Sequence, residues 1–185
     1  MMKLDARVRY TKMMIKKAIL DLLIEKPIRN ITVKEICELA MINRATFYSH
    51  YRDAYDLLEQ IQMEMYNEFE VALSSPNKSN INNVAEEVLS LVNKNVELYK
   101  ILLSENGDKM FLKRIADIGQ KSTFSELKKQ YPEANDKQLH LIYTYIAHGS
   151  LAVIQDWVNS GMLESTQVIS SIVNSITRRA ITALK

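Results

Sequence analysis

The sequence predicts an all-α protein, and three observations carry that prediction. Four Gly and three Pro in 185 residues leave few places to interrupt a helix. Apolar residues recur at helical spacing along most of the chain. The breakers Pro27, Gly107, Pro132 and Gly161 fall between the periodic segments rather than inside them. A strand-rich fold would need many more turns.

Taken in order, the first helix is expected from about Arg9 to Lys26. Ile15, Ala18, Ile19, Leu22 and Leu23 form its apolar face, and Pro27 stops it. Thr32-Val33-Lys34-Glu35 reads as a capping box, with hydroxyl and carboxylate each answering the other residue's amide. It opens a short helix to about Leu39 that turns Val33, Ile36 and Cys37 inward. Ala40-Met41-Ile42 makes a tight turn into Asn43, an N-cap for a helix from Arg44 to His50. Asp53 caps the next helix, which carries Leu57, Leu58, Ile61, Met65 and Phe69. The polar cluster Ser74-Ser75-Pro76-Asn77-Lys78-Ser79-Asn80 is the clearest boundary. Beyond it, helices are expected at about 82–93, 95–104, 108–130, 136–159 and 166–184.

Composition narrows the class further. A hydrophobic share of 47% with 25% charged residues suits a soluble globular chain. No apolar run reaches membrane-span length, and no apolar leader core opens the sequence. Cys37 is the single cysteine, so no internal disulfide can form. The expected location is a bacterial-type cytoplasm, with no membrane contact. Net charge is only +2, but its distribution is uneven. Residues 1–53 hold eleven basic and six acidic residues, net +5, and residues 54–185 sum to −3. A basic head on an acidic body suits contact with a polyanion, with a chance fluctuation as the alternative.

Two short helices joined by a tight turn, after one longer helix, form a helix-turn-helix. The first of the pair braces the second, whose N-terminal residues face base edges in the major groove. Arg44, Ala45 and Thr46 are the outward set. Arg44 can read guanine N7 and O6, and the methyls of Ala45 and Thr46 can pack on a thymine methyl. Phe47 and Tyr51 are the inward anchors. Thr32, Asn43, Tyr48, His50 and Arg52 are the candidate phosphate contacts, which fix register without reading sequence.

At these residues the chain resembles the tetracycline-repressor (TetR) family of bacterial regulators. The resemblance rests on Ile31-Thr32-Val33, Ile36, the run Ala40-Met41-Ile42-Asn43-Arg44-Ala45-Thr46-Phe47-Tyr48-Ser49-His50-Tyr51, and Leu57-Leu58. Three positions depart from the family pattern. Met41 stands where the turn commonly has Gly, Pro27 where a Gly usually follows the first helix, and Ala54 where a Lys commonly contacts phosphate. Arg52 or the Ala54 amide is expected to take over that contact. The resemblance implies an all-helical homodimer, its last two long helices forming a four-helix bundle with the partner. It implies double-stranded DNA as partner, and a pseudo-palindromic operator with half-sites in successive grooves. Residues 149–161, with Trp157 before a Gly break, more faintly resemble a C-terminal subtype that includes dihydroxyacetone-kinase-type regulators.

The body segment leaves alternatives open. Ala147, Gly149, Ser150 and Ala152 would let a partner backbone come close. Val168, Ile169, Ile172, Val173, Ile176, Ala180 and Ile181 make a wide apolar stripe. Both features also suit the core of a single chain. Tyr99, Phe111, Phe124, His140, Tyr143 and Trp157 are the candidate effector-pocket residues, against the alternative of plain core. His140 and His148 are eight apart, which disfavours a metal pair, and Cys37 reads as a buried structural thiol. No phosphate loop, nucleophile elbow or paired-acid arrangement is present, so no enzyme, cofactor or metal is expected. The domain plan is a helix-turn-helix head at 1–53, a connecting helix at 54–73, and a regulatory and dimerisation domain at 82–185. The expected function is a sequence-specific transcription regulator, a repressor rather than an activator. Control comes from a small effector at the C-terminal domain or, alternatively, from a protein partner docked there.

Overall fold

The computed structural model describes residues 6–74, 84–104 and 109–184. Nine α-helices and two short 3-10 turns, with no strand, make up the described residues. The helices are α1 (Ala6–Glu25), α2 (Val33–Leu39), α3 (Arg44–Tyr48), α4 (Ala54–Ser74), α5 (Val84–Lys94), α6 (Val96–Leu102), α7 (Lys109–Gln130), α8 (Asp136–Asn159) and α9 (Thr166–Ile181). The all-α expectation holds. Most of the expected linker 74–80 lies outside the described residues, as do the expected starts of α5 and α7.

Local chemistry explains the boundaries. Pro27 follows the end of α1, and the chain then makes one 3-10 turn, Ile28–Asn30. Before α2, the Glu35 amide donates to the Thr32 hydroxyl (3.3 Å) and the Thr32 amide donates to the Glu35 carboxylate (2.9 Å). This is the predicted capping box. A second box forms before α8, between Asn135 and Gln138, each amide donating to the other side chain at 2.9 Å. Ser165 caps α9.

Two helices end in the same hydrogen-bonded turn. At the end of α2 the Ile42 amide reaches the Cys37 carbonyl (3.0 Å) and the Met41 amide reaches that of Glu38 (3.3 Å). Those two bonds define a Schellman motif, which requires a left-handed residue at Met41. Its φ is 54°. Met41 thus takes the conformation for which glycine is better suited, with its side chain 89% exposed. At the end of α8 the motif recurs around Gly161 (φ 95°) and Met162 (φ 58°).

One continuous apolar core runs from the head into the body. It starts with Ile15, Ile19 and Leu23 of α1, passes through Ile36, Phe47 and Leu57, and reaches Leu89, Tyr99, Phe111, Trp157 and Val173. A smaller core of Leu127, Ala134, Leu139, Ile181 and Leu184 closes the ends of α7, α8 and α9. The central packing is α4 on α7, α7 on α8, and α9 against α5 and α8. No described helix is long and apolar enough to cross a membrane.

Candidate nucleic-acid interface and body cavity

The recognition element begins at Asn43, whose side-chain oxygen accepts the Thr46 amide at 2.7 Å. The helix it opens is shorter than predicted. α3 ends at Tyr48, and Ser49 and His50 form a tightened turn instead of a last helical turn. The cause is local: the His50 amide bonds back only three residues, to Phe47 (2.9 Å), and the Ser49 hydroxyl donates to the Thr46 carbonyl (2.7 Å).

Orientation follows from two aromatics. Phe47 is fully buried and Tyr51 nearly so, their ring centroids 5.7 Å apart, so the inner face of α3 is pinned into the common core beside α2. That leaves Arg44 and Ala45 exposed and Thr46 half-buried at the outer N-terminal edge. Arg44 makes no ion pair among the described residues, so its guanidinium is uncommitted.

The five phosphate candidates fare differently. Tyr48 is exposed, its ring edge-on to Phe47 at 5.7 Å, and His50 is half-buried beside Tyr51. The Thr32 hydroxyl is spent inside the capping box, where it also donates to the Glu35 carboxylate (2.8 Å). Asn43 uses its oxygen as the cap. Arg52 is exposed but shares its guanidinium with the Asp56 carboxylate at 3.4 Å. Ala54 is buried.

Two acidic side chains in and beside the head are held charged by the hydrogen bonds they accept. The Lys26 ammonium, helped by the Thr32 amide and hydroxyl, lowers the Glu35 carboxyl to about 2. The Arg52 backbone amide, donating at 2.8 Å, lowers that of Asp56. Burial raises the Cys37 thiol, as expected of a structural cysteine. One cation escaped the sequence reading: Lys12 of α1 sits over the Tyr51 ring, 5.9 Å from its centroid. Nothing in the local spacing ties α1 to Tyr51, so only the fold reveals this neighbour of the recognition helix.

In the body, a cavity of ≈ 80 Å³ lies among α4, α5, α7, α8 and α9. Of the six predicted pocket residues only Tyr143 lines it. Tyr99, Phe111 and Trp157 are core. Tyr99 packs edge-on to Phe69 with its hydroxyl buried, Phe111 stacks near Tyr66, and the Trp157 indole donates to the Glu164 carbonyl at 3.0 Å. Phe124 is partly buried against the smaller core, and His140 is exposed beside Gln120. Helical periodicity finds a buried face but cannot tell a filled interior from a hollow one, so spacing alone left both readings of these aromatics open. The polar residues that reach the cavity are Thr123, Tyr143, Ser150, Asn174 and Thr177.

Comparison with known proteins agrees with this architecture. Residues 15–61 match the family described as bacterial regulatory proteins, tetR family, and residues 79–179 match a transcriptional regulator C-terminal region. The chain belongs to the TetR family. Its matched regions are those of a transcriptional regulator with a DNA-binding helix-turn-helix. It is 25% identical over 166 residues to the uncharacterized HTH-type transcriptional regulator YxbF of Bacillus subtilis (strain 168), covering 86% of this chain. The chain spans 42% of that relative's length. Solved structures of similar fold include a TetR-family regulator from Syntrophomonas wolfei str. Goettingen, at TM-score 0.71 and 18% identity over 94% of this chain and 96% of that one. A TetR transcriptional regulator from Streptococcus agalactiae 2603V has TM-score 0.67 and 19% identity over 92% and 95%. The dihydroxyacetone kinase operon activator DhaS has TM-score 0.66 and 19% identity over 94% and 97%.

Proposed function

We propose that this TetR-family regulator is a homodimeric, sequence-specific repressor that reads a pseudo-palindromic operator in the bacterial cytoplasm. Its head is residues 1–53, its connecting helix 54–73 and its controlling domain 82–185. The observation that carries the reading is the outer edge of α3. Arg44, Ala45 and Thr46 stand at the entry of a rigidly anchored helix, with the Arg44 guanidinium unpaired. Arg44 supplies a bidentate contact to guanine, Ala45 and Thr46 supply methyl contacts, and Thr32, Asn43, Tyr48, His50 and Arg52 set the register on phosphates.

Dimerisation draws support from how the apolar stripe of α9 divides. Ile169, Val173 and Ile181 are buried, whereas Val168, Ile172 and Ile176 remain exposed. Leu141 and Tyr145 of α8 are exposed as well, and a Cβ on Gly149 would meet nothing within 4 Å. A groove between the two helices runs past Tyr145, His148, Gly149, Val153 and Ile176. Two copies crossing here make the four-helix bundle, since an apolar face of this extent is otherwise costly in water. A gel-shift series with the chain's own upstream DNA tests the reading. A sequence-dependent shift that weakens steeply with salt supports it, and no such shift sinks it. Ile172→Glu with Ile176→Glu should give monomers by sedimentation and lose tight operator binding.

A second reading has one observation behind it. The neighbour DhaS is described as an operon activator. In this second reading the chain acts as an activator or coactivator, and its C-terminal domain docks a protein partner rather than a small ligand. Stoichiometric co-purification of a protein favours this reading, and an extracted small molecule favours effector control.

A further inference from the structure

The cations in and beside the head differ in what holds them. Lys16 is paired with Glu64 at 2.9 Å, Lys26 with Glu35, Lys34 with Glu38 at 3.8 Å and Arg52 with Asp56 at 3.4 Å. Lys12 of α1 has no such acid. Its ammonium lies 5.9 Å from the centroid of the Tyr51 ring, and it makes no ion pair or hydrogen bond among the described residues. The two acids whose charge reaches Tyr51, Glu64 and Asp56, are already answered by Lys16 and Arg52. The ring itself is fixed. Tyr51 is buried, and its centroid stands 5.7 Å from that of Phe47 and 6.3 Å from that of His50. A half-buried lysine on such a ring is placed without being neutralised. Lysine carries much rotamer freedom, and a fixed ring restricts it before any ligand arrives.

We infer that Lys12 is a phosphate contact of the DNA interface, seated on the Tyr51 ring and reaching the backbone beside the C-terminal end of the recognition element. The inference rests on the operator-reading proposal and adds to it a residue from outside the helix-turn-helix. Arg44 opens α3, and Tyr51 stands just past its end, so these two unpaired cations bracket the element. A phosphate suits Lys12 better than a base edge does. Its ammonium is a compact point charge without the planar fork of an arginine. A phosphate also supplies the anion that the fold leaves out, since no carboxylate pairs with Lys12. Arg52, the cation next to Tyr51 in the chain, is drawn towards Asp56 instead. Because Lys12 touches only the backbone, it adds strength equally on every sequence and fixes how the head sits on the duplex.

The test is a salt titration of DNA binding by the full chain, on its own upstream DNA and on an unrelated duplex of equal length. Lys12→Met keeps a stem against the Tyr51 ring and removes the charge. Each phosphate contact contributes about 0.9 to the slope of log affinity against log salt, so a dimer should lose about 1.8 from that slope. Affinity should fall by the same factor on both duplexes. Lys12→Gln should reproduce the loss, and Lys12→Arg should restore the parent slope. Lys17→Met removes an exposed charge of the same helix that no ring holds, and should leave the slope unchanged. Lys12→Met should melt within about 4 °C of the parent, which separates lost contact from lost fold. An unchanged slope for Lys12→Met, with parent binding intact, overturns this inference alone and leaves Lys12 as packing on Tyr51. An equal loss for Lys17→Met, or a loss on the upstream DNA but not on the unrelated duplex, overturns it too. No salt-dependent binding by the parent overturns the operator reading, and this inference with it.

Discussion

The head and the body handle buried polar groups in opposite ways. In the head, Thr32, Glu35, Asn43 and Asp53 all close helix ends, and the interior of Ile15, Ile36, Phe47 and Leu57 is apolar. The buried polar residues among those described, Gln62, Ser170, Asn174 and Thr177, all lie beyond it. The body caps its helices too, but keeps an apolar hollow with an amide in its wall. The difference separates two jobs. A reader of base edges needs one fixed shape, and fully satisfied caps give it. The domain proposed to exert control leaves part of its interior unfilled instead.

The comparison can be broken at several points, the largest effect coming from the head's anchor. Phe47→Ala should cost about 3–5 kcal/mol by chemical unfolding, because no neighbour can refill that space. Tyr143→Phe, at a comparably buried ring in the body, removes only the bond to the Ala116 carbonyl and should cost roughly 0.5–1.5 kcal/mol. Equal costs would mean that the head is no more tightly built than the body. Asn43→Ala removes the cap on the Thr46 amide and should lower stability by about 1 kcal/mol.

Met41→Gly runs the other way. It relieves a left-handed methionine whose side chain touches little, so stability should rise by roughly 0.5–1 kcal/mol. A loss would show that the Met41 side chain packs in solution. The smallest effect is titrational. Glu35 has its carboxyl lowered from 4.5 to about 2, so it stabilises the fold above pH 4.5 and that contribution fades as the pH falls towards 2. Lys26→Met removes the largest cause, and its acid-unfolding profile should be flatter than the parent's across that window.

Caps and punctuation were the most legible part of the sequence. The Thr32–Glu35 box, the Asn43 cap and the Met41 turn are each written in three or four adjacent residues, and each forms as read. The inward turn of Phe47 and Tyr51 was equally legible, since helical spacing sets it. The end of α3 was not, because Ser49 hydroxyl bonding decides it rather than periodicity. Nor was the cavity, which depends on how five helices fail to fill a space between them. Aromatics such as Tyr99 and Trp157 drew attention for their size, yet they fill the core for that same reason. Lys12 over Tyr51 joins residues 39 positions apart, beyond the reach of any local pattern.

The central claim is that the exposed edge of α3 reads bases, and Arg44→Ala tests it most directly. Binding of parent and variant should be compared by salt-titrated gel shift on operator DNA and on a set of single-base-pair changes. The account predicts a loss of about 1–3 kcal/mol on the operator, with preference relaxed at one base pair per half-site. Equal binding by parent and variant, or a uniform loss on every sequence, would contradict it and leave Arg44 as a phosphate contact at most.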